Sequence, residues 1–409
     1  MSAAPAEARR AWERWRRVLA DEALPAAVVD LDAVDRNLAI LLEHMGSAPI
    51  TLRPASKSVR VPWLLRYLLD AGKGRLAGLM TYAAGETALL AEQGFDDLLL
   101  AYPVGRRPDA DLLAGLAAAG KTVRAAIDHP DHVSLLEASA AAAGATLSVC
   151  IDVDVSWRPL GGRLHFGVRR SPVRSAADAV ALGRLVKAAP HLRLDSVLAY
   201  EAQVAGIRDK NPGSRHLDPI RQVIKSRSIA LSAVRRAEVV GALRADGHTI
   251  SVVNGGGTGS VDSTSRDPTV TELTAGSGFV CSHLFDGYGG LPFEPALFFA
   301  LSVVRRSDPD HVTCGGGGYI ASGPAGADRL PQVHLPPGLQ PVAMEGFGEV
   351  QTPFHLGPGA PALGIGDPVL CRHAKAGELA ERFSEYLVVR GDAIIDRVPT
   401  LRGLGGAFL

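Results

Sequence analysis

Residues 249–280 read TISVVNGGGTGSVDSTSRDPTVTELTAGSGFV, and two runs within them decide the fold. Thr249–Asn254 and Thr271–Val280 have the β-branched, apolar composition of buried strands. Asn254-Gly255-Gly256-Gly257-Thr258-Gly259-Ser260 follows the first directly, and Gly276-Ser277-Gly278 lies within the end of the second. Consecutive glycines let backbone N–H groups approach an anion closely, while Thr258, Ser260 and Ser277 add hydroxyl donors. A glycine run alone reads equally well as a flexible turn. Two such runs at the ends of consecutive strands read as a phosphate site if the strands are the seventh and eighth of a closed barrel.

Counting outward gives that number. Upstream strands are expected at Ile50–Lys57, Gly78–Tyr82, Asp97–Val104, Thr122–Asp128, Leu147–Val155 and Arg193–Glu201, making eight in all. Segments of helical period fill the gaps at Val61–Ala71, Ala84–Gln93, Asp109–Ala119, Pro130–Ala143, Ala176–Ala189 and Pro219–Ala245. The last gap, Gly255–Val270, is too rich in glycine, with Asp262 and Pro268, for a long helix. The alternation predicts an α/β fold, a (β/α)8 TIM barrel whose chemistry sits at the carboxyl ends of its strands.

A chain of 409 residues exceeds the size at which one core stops growing, so a second domain is expected. From about Phe293 proline and glycine crowd in, at Cys314–Tyr319, Ser322–Ala325, Pro336–Gly338 and Gly357–Pro361, between short extended runs. The chain therefore divides into residues 1–32, an N-terminal helix and strand packing with the second domain; 33–285, the barrel; and 286–409, a β-rich C-terminal domain. Ala26–Leu31 is the early strand, and a helix at Asp35–Met45 follows it. The Arg-rich stretch Ala8–Ala20, with Trp12 and Trp15 but interrupted by Glu13, reads as a docked surface helix.

Lys+Arg and Asp+Glu are both 43, so the chain lacks the broad basic footprint of a nucleic-acid or anionic-membrane binder. A small-molecule partner is expected instead. Cys150, Cys281, Cys314 and Cys371 lie far apart, without the spacing of a disulfide framework or zinc ribbon. No stretch reaches the roughly 18 apolar residues of a membrane span, and the start lacks the apolar run of a secretory signal. These features fit the cytosol.

Lys57 ends the first barrel strand in Arg53-Pro54-Ala55-Ser56-Lys57-Ser58. A lysine there points into the barrel mouth, where burial and the nearby Arg53 or Arg60 would favour the neutral, nucleophilic amine. A solvated surface lysine is the alternative. Beside a phosphate site across the same mouth, Lys57 suggests a cofactor with an aldehyde at one end and a phosphate at the other. Tyr82, Tyr102 and Tyr200 sit near the ends of strands two, three and six, where an aromatic face supports a cofactor ring or packs the rim. Tyr200 with Glu201 is the preferred pair. Asp152 and Asp154 on strand five suit barrel-mouth hydrogen bonds, and Glu345 and Glu349 are second-domain carboxylates that either reach the site or are solvated.

The order of strand, helix, Arg53-Pro54-X-X-Lys57, the Gly255–Gly259 loop, Thr271-Glu272-Leu273 and Gly276-Ser277 resembles the D-threonine aldolase and D-serine dehydratase family. That family is grouped with the alanine-racemase-like, fold-type III pyridoxal enzymes. The resemblance runs from about Leu24 to the end and includes Gly366-Asp367-Pro368-Val369 and Arg402-Gly403. It implies pyridoxal 5'-phosphate in a Schiff base with Lys57, phosphate contacts from both glycine loops, and a homodimer whose second domains help enclose the partner's site. Expected cofactor contacts are Lys57, Tyr200, His165, Asn254, Gly256, Gly257, Thr258, Gly276 and Ser277.

The chain departs from the family's pattern in three places. Ala55 and Val59 stand where the family often has histidine. His165 stands where an arginine commonly precedes a Gly-Val pair, here Gly167-Val168, with Arg163, Arg169 and Arg170 close by; His165 either fills that role or caps a loop. In Cys371-Arg372-His373-Ala374-Lys375-Ala376-Gly377-Glu378, the family's metal-binding His is followed two positions later by Lys375 instead of Asp or Cys. Alternation along an extended segment would face both residues to one ion. A protonated lysine repels a metal, so the expectation is no bound metal, with His373 in acid–base work and Lys375 as a local positive charge. His373 is the ligand if a metal is present, and a surface loop is the plainer alternative.

The resemblance implies a lyase on D-3-hydroxy amino acids. The reaction would be retro-aldol cleavage to glycine and an aldehyde, or dehydrative deamination to a keto acid and ammonia. The alternatives are an amino acid racemase or decarboxylase on the same scaffold, a non-catalytic pyridoxal carrier, and a phosphate-binding barrel enzyme for which Lys57 is incidental.

Overall fold

A computed structural model describes residues 5–209 and 212–408; the first four residues of the N-terminal segment lie outside them. Eight parallel strands form one sheet in the spatial order Thr51–Pro54, Glu272–Ala275, Val252–Gly255, Leu192–Ala199, Leu147–Asp152, Val123–Ile127, Leu98–Leu100 and Leu79–Thr81. The two edge strands meet through parallel bridges, Leu52 to Leu76 and Ala55 to Met80, which close the barrel. Helices Pro62–Ala71, Ala84–Glu92, Arg107–Ala118, Pro130–Ala143, Ala176–Lys187 and Asp218–Ala245 cover the outside, each near its expected place. Capping fixes several starts. Asp30 accepts the N–H groups of Asp32 and Ala33 at the head of Leu31–Met45, and Ser175 with Asp178 makes a reciprocal capping box at Ala176.

Several strands stop short of the sequence reading, and two of these ends bear on the site. The first strand stops at Pro54, and Lys57 lies in the 3-10 turn Ser56–Ser58 that follows. The last strand stops at Ala275, not Val280, so Gly276-Ser277-Gly278 comes after it and Ser277–Val280 is a short helical turn. Phe279 and Val280 prolong the apolar run because they pack into the core, and the Phe279 carbonyl accepts Asn37 Nδ2 at 3.1 Å from the helix Leu31–Met45. Burial without a strand gives the same composition as burial within one.

Inside the barrel, Arg53 is 1% exposed and grips Glu272 with Nε and Nη2, both at 2.7 Å, and Asp97 at 2.9 Å. Asn254 Nδ2 joins Glu272 at 2.7 Å, so one buried ionic layer ties three neighbouring strands and holds the mouth above it in register.

A second, nine-stranded mixed sheet contains Ala26–Asp30 between Leu297–Asp308, to which it is antiparallel, and Glu385–Arg390, to which it is parallel. The early strand thus joins the later sheet. The N-terminal helix Pro5–Val18 docks on that sheet: Trp12 and Trp15 are each 3% exposed, Trp12 Nε1 donates to the Pro368 carbonyl at 2.9 Å, and Trp15 meets Phe298 edge-on. Each indole contributes on the order of 3 kcal/mol through burial. Among the described residues no helix is long and apolar enough to cross a membrane.

Candidate active site

Where the first strand ends, Ser56 Oγ donates to the Met80 carbonyl at 2.9 Å, and Arg60 Nε donates back to the Lys57 carbonyl at 3.0 Å. Arg60, with φ of 53°, passes its own carbonyl to the N–H of Leu401, so the turn is held from both the barrel and the C-terminal region. The Lys57 side chain projects from this turn and donates to Tyr102 Oη at 2.8 Å. Burial, the largest influence, raises the Tyr102 phenol, but the charge and hydrogen bond of Lys57 together with the charge of Arg170 outweigh it and lower the phenol below its ordinary value. Lys57 is exposed to the barrel mouth and not buried as expected, and Arg53 faces into the barrel, away from it.

Lys57 opens on an inner cavity of about 210 Å³ that Tyr200, Asn254, Gly256, Gly257, Thr258, Gly276 and Ser277 also line. The glycines are there because nothing larger fits. A β-carbon on Gly257 would stand 2.9 Å from both Tyr200 Cε2 and Ala205 Cβ, and one on Gly276 would stand 2.7 Å from Ser58 Oγ. The two loops are tied together by the Gly278 N–H, which donates to Thr258 Oγ1 at 3.0 Å. Asn254 lines the cavity, but its amide is committed to Glu272 and Thr274, which makes it a strand tie.

Glu201 does not pair with Tyr200 in the cavity. It points behind the glycine loop, where it accepts Ser260 Oγ at 2.7 Å, Thr264 Oγ1 and the Gly256 N–H at 3.3 Å, and pairs with Arg236. Both charges of that pair are 2% exposed, and removing one partner of such a pair costs about 3–5 kcal/mol. Tyr200 itself faces the cavity, where burial pushes its phenol up to about 12 and keeps it a neutral donor.

His165 lines neither this cavity nor the one outside it, and its ring nitrogens find no partner among the described residues. The arginine that lines the cavity is Arg170, whose guanidinium lies 5.6 Å from the ring centres of both Tyr102 and Tyr200. Arg170 was close in sequence to the expected position, but a loop has no period to single it out. Beside it, burial pushes the Asp152 carboxyl up to about 7 despite the opposing pull of Arg170. Asp154 instead accepts the Ser156 N–H at 2.9 Å and pairs with Arg158 and Arg174. Tyr82 is buried under Arg60, and Glu345 and Glu349 are exposed away from the cavity.

An outer cavity of about 840 Å³ shares Lys57, Tyr200 and Ser277 with the inner one and is also lined by Lys375 and Glu378. His373 does not reach it. The ring is 3% exposed, and Nδ1 lies 3.0 Å from the N–H and 2.6 Å from the carbonyl of Lys375, so that nitrogen is committed to its own main chain in either tautomer. Burial is the chief reason its pKa is lowered, which favours the neutral ring. The strand Pro368–Arg372 ends one residue before it, so the expected alternation with Lys375 does not hold.

A primary amine at one end, glycine turns closed to any side chain at the other, and tyrosine and arginine between them fit pyridoxal 5'-phosphate. The barrel with its second mixed sheet is an alanine-racemase-like architecture. The sequence matches no family model. It is 26% identical over 299 residues to 3-hydroxy-D-aspartate aldolase of Paracoccus denitrificans (strain Pd 1222), covering 70% of this chain and 69% of that one. It is 25% identical over 347 residues to D-threonine aldolase of an Arthrobacter species, covering 84% and 82%. Among solved structures, D-threonine aldolase from Filomicrobium marinum superposes with a TM-score of 0.77 at 24% identity, over 94% of this chain and 97% of that one.

Proposed function

We propose that this chain is a pyridoxal-phosphate-dependent lyase acting on D-3-hydroxy amino acids. The observation that carries the reading is the shared cavity of the Lys57 amine and the Gly257 and Gly276 turns. The substrate class rests on the likeness to the two aldolases above.

When bound, the cofactor supplies an aldehyde that takes up the substrate amine and a ring that accepts the electron pair left at Cα. Lys57 would hold the cofactor at rest through its amine and would be a free amine once the substrate amine took its place. It then moves a proton at Cα. Tyr102, 2.8 Å from that amine, aims it and shares its proton. The Gly256–Thr258 and Gly276–Ser277 turns would hold the phosphate and Arg170 and Tyr200 the ring, leaving the outer cavity for the substrate's 3-carbon and its substituent.

In cleavage, the 3-hydroxyl proton leaves as the C3–O double bond forms. The C2–C3 pair passes to C2, which is reprotonated, giving glycine and an aldehyde. In dehydration, the C2 proton is lost and hydroxide leaves C3 as water after protonation; addition of water then releases ammonia and a keto acid. The reading extends to a homodimer in the cytosol, supported by the family resemblance and by four free, buried cysteines.

The test is direct. Wild-type protein purified with pyridoxal phosphate should carry its visible absorbance and turn over a D-3-hydroxy amino acid, with glycine plus aldehyde or ammonia plus keto acid naming the reaction. Lys57→Ala should lose both absorbance and turnover while keeping its thermal midpoint, because the side chain is exposed. Full activity in that variant would reject the reading.

A further inference from the structure

We propose that the Lys375 ammonium is the fixed positive charge facing the substrate's 3-oxygen, held there by Ser322 and Glu378, in place of the divalent metal that the family resemblance implies. This rests on the lyase reading above. Lys375 begins the helical turn Ala376–Leu379, which packs directly on the turn that carries Lys57, and both lysines line the outer cavity. Its side chain is positioned, not loose. Nζ donates to Ser322 Oγ at 2.7 Å and lies 3.0 Å from Glu378 Oε1. Ser322 closes the triangle, because its N–H donates to Glu378 Oε2 at 2.7 Å and its hydroxyl donates to Glu378 Oε1. An ammonium has three N–H donors, so two are used and one is left for a ligand in the cavity.

A divalent metal does not fit these residues. His373, the one imidazole of the segment, is buried and has Nδ1 bound to the main chain of Lys375. Cys371 is wholly buried within its strand. The nearest carboxylate, Glu378, is already engaged by an ammonium, a hydroxyl and an N–H. Metal affinity follows ligand number and identity, and an ammonium at the centre of the donor set opposes a second cation. A preorganised ammonium needs no metal to stabilise negative charge developing on a carbonyl or hydroxyl oxygen.

The experiment uses pyridoxal-loaded protein, stripped with a chelator and dialysed, with whichever of D-threonine, D-serine and 3-hydroxy-D-aspartate is turned over fastest. Expected are turnover within twofold of the untreated protein, no stoichiometric manganese or zinc by elemental analysis, and no manganese site tighter than millimolar by paramagnetic resonance. Lys375→Met should lower kcat at least a hundredfold with unchanged pyridoxal absorbance, Lys375→Arg should recover to within tenfold of wild type, and Ser322→Ala should lose about tenfold in kcat. Loss of activity on chelation with recovery on added manganese or zinc overturns the proposal, as does wild-type kcat in Lys375→Met. Both outcomes leave the pyridoxal absorbance intact, whereas its absence from the wild type would overturn the lyase reading itself.

Discussion

The carbonyl oxygen of Lys57 lies 1.7 Å from the point where a β-carbon on Gly377 would stand. The Ala376–Leu379 turn therefore sets the height of the Lys57 turn, and only glycine permits the approach. A clash with backbone is not relieved by a rotamer change, so Gly377→Ala must shift one turn or the other. Misplacing a reacting group by about 1 Å costs on the order of a hundredfold in rate. We expect Gly377→Ala to lower kcat ten- to a hundredfold and to weaken pyridoxal absorbance, read by steady-state kinetics and spectroscopy on the same sample. Wild-type kcat would mean that the turn yields freely and that the contact does not position the lysine.

The barrel was legible because its signal is periodic. Short apolar runs alternating with helical segments place each strand whatever lies across the barrel from it, and the glycine loops announce themselves by composition. What escaped depends on contacts distant in sequence. Arg53 reads as a mouth residue from its strand end, yet its partners Asp97 and Glu272 lie 44 and 219 positions away and draw it into the barrel. His373 and Lys375 look like an alternating pair, but the strand ends at Arg372 and the main chain folds back onto the imidazole. Glu201 adjoins a cavity residue, and only the buried Arg236 shows that it braces the glycine loop from behind.

The glycine turns give a second expectation. A β-carbon on Gly276 would meet Ser58 Oγ at 2.7 Å, Ser58 Cβ at 2.8 Å and Ala55 Cβ at 3.1 Å, crowding the turn next to Lys57 as well as the floor of the cavity. Gly276→Val should weaken pyridoxal phosphate binding at least tenfold in an equilibrium titration. Pyridoxal lacking the phosphate should bind more nearly as it does to the wild type. If both are weakened equally, the damage is to the Lys57 turn and the phosphate is held elsewhere.

Glu86 carries a pH expectation. It is fully buried beside Ser56, Oε2 accepts the Tyr82 N–H at 2.8 Å, and Oε1 has no partner among the described residues. Burial pushes its carboxyl from 4.5 up to about 7, and the polar groups of Ser56, Tyr82 and Ala83 nearby with the charge of Arg60 offset only part of that. Between those values the folded chain holds a proton that the unfolded chain has released, so stability falls as pH rises through this window and levels off above it. The full effect is roughly 3 kcal/mol for a shift of this size. Glu86→Gln keeps an acceptor for Tyr82 and removes the titration. At about pH 5 its thermal midpoint should match the wild type, and by about pH 8 it should lie higher, by on the order of 5 °C or more. An equal offset at both pH values would mean that the carboxyl ionises normally in the folded state, with a partner for Oε1 that compensates its burial.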